Sequence, residues 1–186
     1  MYGLGLPNDP RGSWSGFVGA WELFRFGRAT KVQTRRSVAH RPHDAARRLA
    51  AKAALKYPPV RLTGLQARAV ARGFAAGARK LGLAVPACSI LPEHVHLVVA
   101  RHRLPVERVV NLLKGAAARR LTDEGIHPLR AFSTPAGRAP KVWARGLWKV
   151  YLDSGADVRR AIEYVAGNPA REGLPPQRWS FVRPWP

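Results

Sequence analysis

The sequence predicts an α+β domain in which an antiparallel sheet is flanked by helices. Three observations carry that expectation. Apolar residues recur at helical spacing in four separated stretches. Two strand-like runs, 83–90 and 94–100, are divided only by Leu91-Pro92-Glu93, which suits a tight antiparallel hairpin. The helical stretches interleave with this hairpin and do not alternate with single strands. The 186-residue chain reads as one domain, with an irregular region over 1–43 and a core over 44–183.

The elements follow in order. Residues 1–20 hold turn chemistry, as in Pro7-Asn8-Asp9-Pro10-Arg11-Gly12-Ser13, and read as loop. The aromatic stretch 21–26 reads as a short strand. Residues 44–57 read as a helix that Asp44 caps, Ala and Leu fill, and Tyr57-Pro58-Pro59 stops. Thr63 followed by Gln66 is a capping-box pattern for a second helix, which Gly82 ends. Its expected apolar face is Leu65, Ala69, Val70, Phe74 and Leu81. After the hairpin, Pro105 suits the first turn of a third helix, with Val106, Val109, Val110 and Leu113 on one side. Residues 123–141 read as a long loop and 142–152 as a strand region. The last helix starts at Ser154, runs to about Gly167, and is expected to stop before Pro169.

Charge points to partners. The chain has 32 Lys+Arg against 11 Asp+Glu, a net charge of +21. A surface that cationic seeks a polyanion, and nucleic acid is the commonest one in a cell. A hydrophobic content of 46% excludes a disordered basic tail. The single cysteine, Cys88, excludes an internal disulfide framework and a cysteine-based zinc site, and reads as a small core residue. No apolar run approaches the ~18 residues that span a membrane, and the N-terminus lacks the pattern of a signal peptide. A reducing bacterial cytoplasm is the expected compartment.

Two groups of residues have the character for chemistry. On a strand, His94 and His96 project from the same face, with Val95, Leu97 and Val99 turned toward the core. Two imidazoles on one rigid strand can share a metal ion. A chain with six His carries about 0.2 such pairs by chance, so packed or surface histidines stand as the alternative. In the last helix Val158, Ala161, Ile162 and Val165 form the apolar face. Tyr164 lies off it, in a column with Arg160 and Asn168 at i, i+4, i+8. A phenol beside a basic cleft can attack phosphorus when a cation polarises the phosphate, and Asn168 could offer its carboxamide oxygen to that cation. The alternative is an amphipathic tyrosine at the rim of the core. Arg108, Lys114, Arg119, Arg120 and Arg160 supply a phosphate footprint, and aromatic rings among basic residues suit single strands. Most of the six Trp are expected in the core.

The order of these pieces resembles a known family. Leu91-Pro92-Glu93-His94-Val95-His96-Leu97-Val98-Val99 looks like the His-hydrophobe-His segment of the HUH transposases. Trp143-Ala144-Arg145-Gly146-Leu147-Trp148 resembles their tryptophan-led segment. Residues 163–174, with Tyr164, Asn168, Pro169, Gly173 and Leu174, resemble their Tyr-x-x-x-Asn-Pro-x-x-x-Gly-Leu segment, and Trp179-Ser180-Phe181 their ending. The likeness is nearest to the REP-associated tyrosine transposases and covers roughly residues 80–183. It implies an HUH endonuclease fold of ferredoxin-like, RRM-like type. His94, His96 and Asn168 would ligate Mg²⁺ or Mn²⁺, and Tyr164 would form a 5′-phosphotyrosine link on single-stranded or hairpin DNA. A monomer or homodimer in the cytoplasm is implied. Tyr2-Gly3-Leu4-Gly5-Leu6-Pro7 resembles the turn that follows the family's first strand, so the resemblance also implies that this strand is missing.

Three functions compete: a metal-dependent DNA strand-transferase, a decayed or domesticated binder of DNA hairpins, and an unrelated basic RNA-binding protein. Tyr151 is the next candidate nucleophile after Tyr164.

Overall fold

Helix 63–82 begins as its sequence dictates. Gln66 N–H donates to Thr63 Oγ1 at 3.3 Å and Thr63 N–H donates to Gln66 Oε1 at 2.9 Å, so two end donors are satisfied reciprocally. At the far end Gly82 adopts φ 63°, the left-handed conformation that closes a helix without a Cβ penalty. The computed structural model describes residues 1–3, 6, 21–27, 42 and 44–186. Four α-helices and two strands are found there: α1 (Ala45–Ala53), α2 (Gly64–Leu81), β1 (Ala87–Ile90), β2 (Val95–Val98), α3 (Val106–Asp123) and α4 (Gly155–Arg171). The class is α+β, with a two-stranded antiparallel sheet. Most of the predicted loop over residues 1–20 lies outside the described residues.

The chain divides into two compact units. The first comprises Met1–Val60 and Ala131–Val150. Here Asp44 caps α1 by accepting from Arg47 N–H at 2.8 Å. Buried Leu6, Leu23 and Ala51 form a small core, with Phe26, Ala54 and Leu55 against it. Residues Trp21–Phe26 are a 3-10 helix, not the expected strand. The i, i+3 spacing of Leu23 and Phe26 puts both on one side, and burial beside Ala51 rewards that helical turn. The expected strand over 142–152 is likewise absent. Val142 O accepts from Tyr2 N–H at 2.8 Å, Gly146 turns the chain at φ 76°, and Trp148 and Val150 are exposed, so the alternation finds no ladder.

The second unit comprises Arg61–Arg130 and Tyr151–Pro186. α2 and α3 pack at close range, because Gly73 of α2 leaves room for the backbone at Ala116 and Ala117. Ala69, Val70, Phe74, Val109, Leu113, Ala117 and Leu121 are buried. Each large apolar side chain among them contributes roughly 1.5–3 kcal/mol. Leu65, placed on the core face by its spacing, is 66% exposed in the first turn.

β1 and β2 pair through Ala87↔Val98, Cys88↔Leu97, Ser89↔His96 and Ile90↔Val95. Both strands are shorter than the sequence runs. The outer edge of β1 is closed by a side chain: Ile90 N–H donates to Gln177 Oε1 and Gln177 Nε2 donates to Ile90 O, both at 2.8 Å. Gln177 thereby supplies the donor and acceptor that a neighbouring strand would offer. α4 lies over the sheet, where Ala87, Val98 and Val165 are buried together with Leu152, Ala161 and Ile162 against them. α4 does not stop before Pro169 but continues through it to Arg171. A proline in the final turn removes only one helical hydrogen bond, and Pro169 is fully buried with its carbonyl accepting from Glu172 and Leu174 N–H.

Candidate active site

The antiparallel register fixes which side of the hairpin carries chemistry. Val98 shares a face with His96 by the two-residue period, and Val98 packs on Val165 of α4. The histidine face is therefore the α4 face. This corrects the expectation that Val95, Leu97 and Val99 are the buried set: among the β2 residues Val98 is the buried one.

His94 stands immediately before β2, and its ring meets that of His96 edge-on, with centroids 4.8 Å apart and planes at 87°. The His96 ring in turn meets the Tyr164 ring at 5.7 Å and 90°. Three sequence-predicted residues from the hairpin and α4 thus come together. Tyr164 is 46% exposed and open to a substrate. Asn168, one turn further along α4, is buried at 6% exposure, and its Nδ2 has no hydrogen-bond partner. Burial and the neighbouring His94 hold the His96 pKa down at about 4, although Glu172 opposes the shift. His96 is consequently a neutral imidazole at physiological pH, the protonation state that ligates metals.

Two imidazoles with ring centroids 4.8 Å apart could reach one ion, and a carboxamide oxygen from Asn168 could join them; the unpartnered atom of Asn168 is Nδ2, a donor that would meet an acceptor and not a cation. Among the described residues no group of three or more His, Cys, Asp or Glu side chains is placed to hold a metal ion.

The basic candidates do not converge. Arg108 and Arg119 are exposed and eleven residues apart on α3, which returns them to one stripe of the helix. Arg120 lies 3.7 Å from Glu124, and Arg160 Nη2 lies 2.6 Å from Asp157 Oδ1, so both have acidic neighbours on their own helix. Lys114 is half-buried, and burial lowers its pKa. Among the described residues α3 packs on α2 and on no other helix or strand, so its basic side chains stand away from the His–Tyr cluster. Four tryptophans expected in the core are not fully buried: Trp143 and Trp179 are partly buried, and Trp148 and Trp185 are exposed.

Three residues join the cluster without a sequence signal that had singled them out. The Arg171 guanidinium lies 4.9 Å over the Tyr164 ring, and Arg171 Nη1 donates to Tyr164 O at 3.3 Å. Its i+7 spacing from Tyr164 is the signal that could have found it. Ser89, fully buried and opposite His96, has an unpartnered Oγ. Glu172 acts electrostatically on His96.

Compared with protein-family models, curated proteins and solved structures, the chain matches none of them. Among the described residues no helix is long and apolar enough to cross a membrane.

Proposed function

We propose that the protein is a metal-dependent, single-strand DNA endonuclease and strand-transferase with Tyr164 as its nucleophile. The observation that carries this reading is the ring contact between His96 and the partly exposed Tyr164, with His94 against His96. It puts a nucleophile of the right type beside a pair of potential ligands. The motif resemblance and the net charge of +21 support DNA as the substrate and an HUH-type fold as the framework.

His94, His96 and Asn168 would hold Mg²⁺ or Mn²⁺, which when bound would polarise the scissile phosphate. The chain's own residues supply the rest. Tyr164 Oη attacks phosphorus, a P–Oη bond forms, and the P–O3′ bond breaks. The phenolic proton released is matched by the proton that the departing 3′ oxygen takes up. The products are a 5′-phosphotyrosine and a free 3′-hydroxyl, and a later attack by a 3′-hydroxyl reverses the chemistry without ATP. Arg171, over the phenol ring, adds positive charge where the phenolate develops. The exposed Arg108 and Arg119 serve as remote phosphate contacts.

Incubation with a labelled pool of single-stranded DNA hairpins and Mn²⁺, followed by a denaturing gel, tests the reading. A metal-dependent covalent band that Tyr164→Phe lacks is expected. Salt-sensitive binding without any band would favour a DNA-hairpin binder that does not cut. Preference for RNA hairpins without a band would favour the RNA-binding alternative.

A further inference from the structure

Lysine and arginine hold the phosphates of a single strand, but its unpaired bases are held by flat rings. One ring of the first unit is placed for that work. Phe132 ends a short 3-10 turn, Arg130–Phe132, and is 45% exposed. Its ring meets that of half-buried Tyr57 edge-on, with centroids 5.4 Å apart and planes at 62°. Tyr57 in turn meets Tyr2 at 6.1 Å and 57°. Both separations fall in the ~4.5–7 Å range of favourable aromatic pairs.

The rings rest on a fixed backbone. Tyr57 N–H donates to Tyr2 Oη at 3.3 Å, Val60 N–H donates to Tyr2 O at 3.1 Å, and Tyr2 N–H donates to Val142 O at 2.8 Å. Gly3 lies so close to Pro59 that a Cβ there would stand 2.7 Å from the proline Cβ. Beyond Phe132 the chain closes a turn, where Gly137 N–H donates to Thr134 O at 2.8 Å and Thr134 N–H to Arg138 O at 3.0 Å. A ligand laid on Phe132 therefore has little to order, which favours binding.

Charge stands beside the rings. The exposed Lys56 places its Nζ 5.5 Å from the centroid of the Tyr57 ring. The first unit carries 15 Lys+Arg against 3 Asp+Glu, a stronger excess than the 17 against 8 of the second. An exposed ring in so cationic a unit matches a ligand that is flat, apolar on its faces and joined to phosphate.

We propose that Phe132, backed by Tyr57 and Tyr2, is a stacking platform for one unpaired base of single-stranded DNA, with Lys56 meeting an adjoining phosphate. The proposal rests on the DNA reading above, and on neither the metal nor Tyr164. It gives the first unit, which holds none of the His–Tyr cluster, a part in binding the strand.

The test is fluorescence anisotropy in EDTA with the full chain, comparing oligothymidylate with an abasic strand of equal length and charge. Wild-type protein should bind the base-bearing strand about fivefold or more tightly. Phe132→Leu keeps apolar volume against Tyr57 without an aromatic face, and it should remove most of that preference while leaving affinity for the abasic strand within about twofold. Phe132→Trp should retain the preference. Lys56→Gln should weaken both strands alike and flatten the dependence of log affinity on log salt by about 0.7. Melting curves that match the wild type establish that the variants are folded. Equal wild-type affinity for the two strands, or a preference unchanged in Phe132→Leu, would overturn the platform and leave the DNA reading standing. No salt-dependent binding of either strand would overturn the DNA reading together with this proposal.

Discussion

The imidazole of His96 stands edge-on to the phenol of Tyr164, with ring centroids 5.7 Å apart and planes at 90°. His96 comes from the hairpin and Tyr164 from a helix 68 positions later in the chain. Their meeting depends on the Val98–Val165 packing that lays α4 on the sheet. Both the ring contact and the scaffold that makes it are open to experiment.

Removing the imidazoles should remove the chemistry and leave the charge. In His94→Ala/His96→Ala, metal-dependent DNA cleavage should fall to background while DNA affinity, measured by fluorescence anisotropy, stays within about twofold, since His neutral at pH 7 carries no phosphate-binding charge. Cleavage in Mg²⁺ that persists in the double variant would refute the ligand assignment.

Stability should depend on pH through His96. Its pKa is lowered from 6.5 to about 4, so between those values the unfolded chain binds a proton that the folded chain does not. Stability therefore rises with pH across that window and is level above it. The full effect is roughly 3 kcal/mol at and below pH 4. Buried His127, whose pKa is also lowered, adds to the same slope, so the difference between wild type and His96→Gln isolates the contribution of His96. Urea unfolding in EDTA at pH 4.5 and 7.5 should show a smaller pH effect in His96→Gln. Identical pH effects would mean that His96 is not desolvated as described.

Two glycines should respond in opposite directions. A Cβ on Gly73 would lie 2.5 Å from Ala117 Cα and 2.8 Å from Ala116 O, both backbone atoms that cannot rotate away. Gly73→Ala should cost about 1–3 kcal/mol despite the higher helix propensity of alanine. Gly115 of α3 faces nothing within 4 Å, and Gly115→Ala should add about 0.5–1 kcal/mol. Chemical denaturation reads both, and shifts of the same sign would contradict the close approach of α2 and α3.

The exposed arginines of α3 should act on binding alone. Arg108→Gln/Arg119→Gln should flatten the dependence of log affinity for single-stranded DNA on log salt by about 1.4, or 0.7 for each phosphate that an arginine no longer neutralises. The yield of covalent adduct per bound DNA should not change, because α3 does not touch α4 or β2 among the described residues. An unaltered salt slope would remove both arginines from the footprint.

Much of the fold was legible where the signal was local. The Thr63–Gln66 box, the Asp44 and Ser154 caps and the Gly82 terminator each specify an end within a few residues, and all four are found. The contact of His94 with His96 agrees with the two-residue spacing, although His94 stands just before β2, and the exposure of Tyr164 with its position off the apolar face. What stayed hidden depends on partners distant in sequence. The alternation at 142–152 resembles a strand, but strand formation needs a ladder, and none forms there among the described residues. Ser89 becomes visible only with the register that sets it opposite His96. Arg171 and Glu172 become part of the α4 face only because the helix passes through Pro169, which its sequence argues against. Gln177 closing the edge of β1 has no sequence signature, since a single carboxamide there stands in for a strand.

The identity of the residue that becomes linked to DNA decides whether Tyr164 is the nucleophile. Wild-type protein is incubated with the hairpin pool and Mn²⁺, digested with nuclease and protease, and its peptides are examined by tandem mass spectrometry. A nucleotide phosphate on Tyr164, absent without metal and absent in Tyr164→Phe, is the expected result. A phosphate on Tyr151 or any other residue, or cleavage of DNA with no covalent peptide at all, would contradict it.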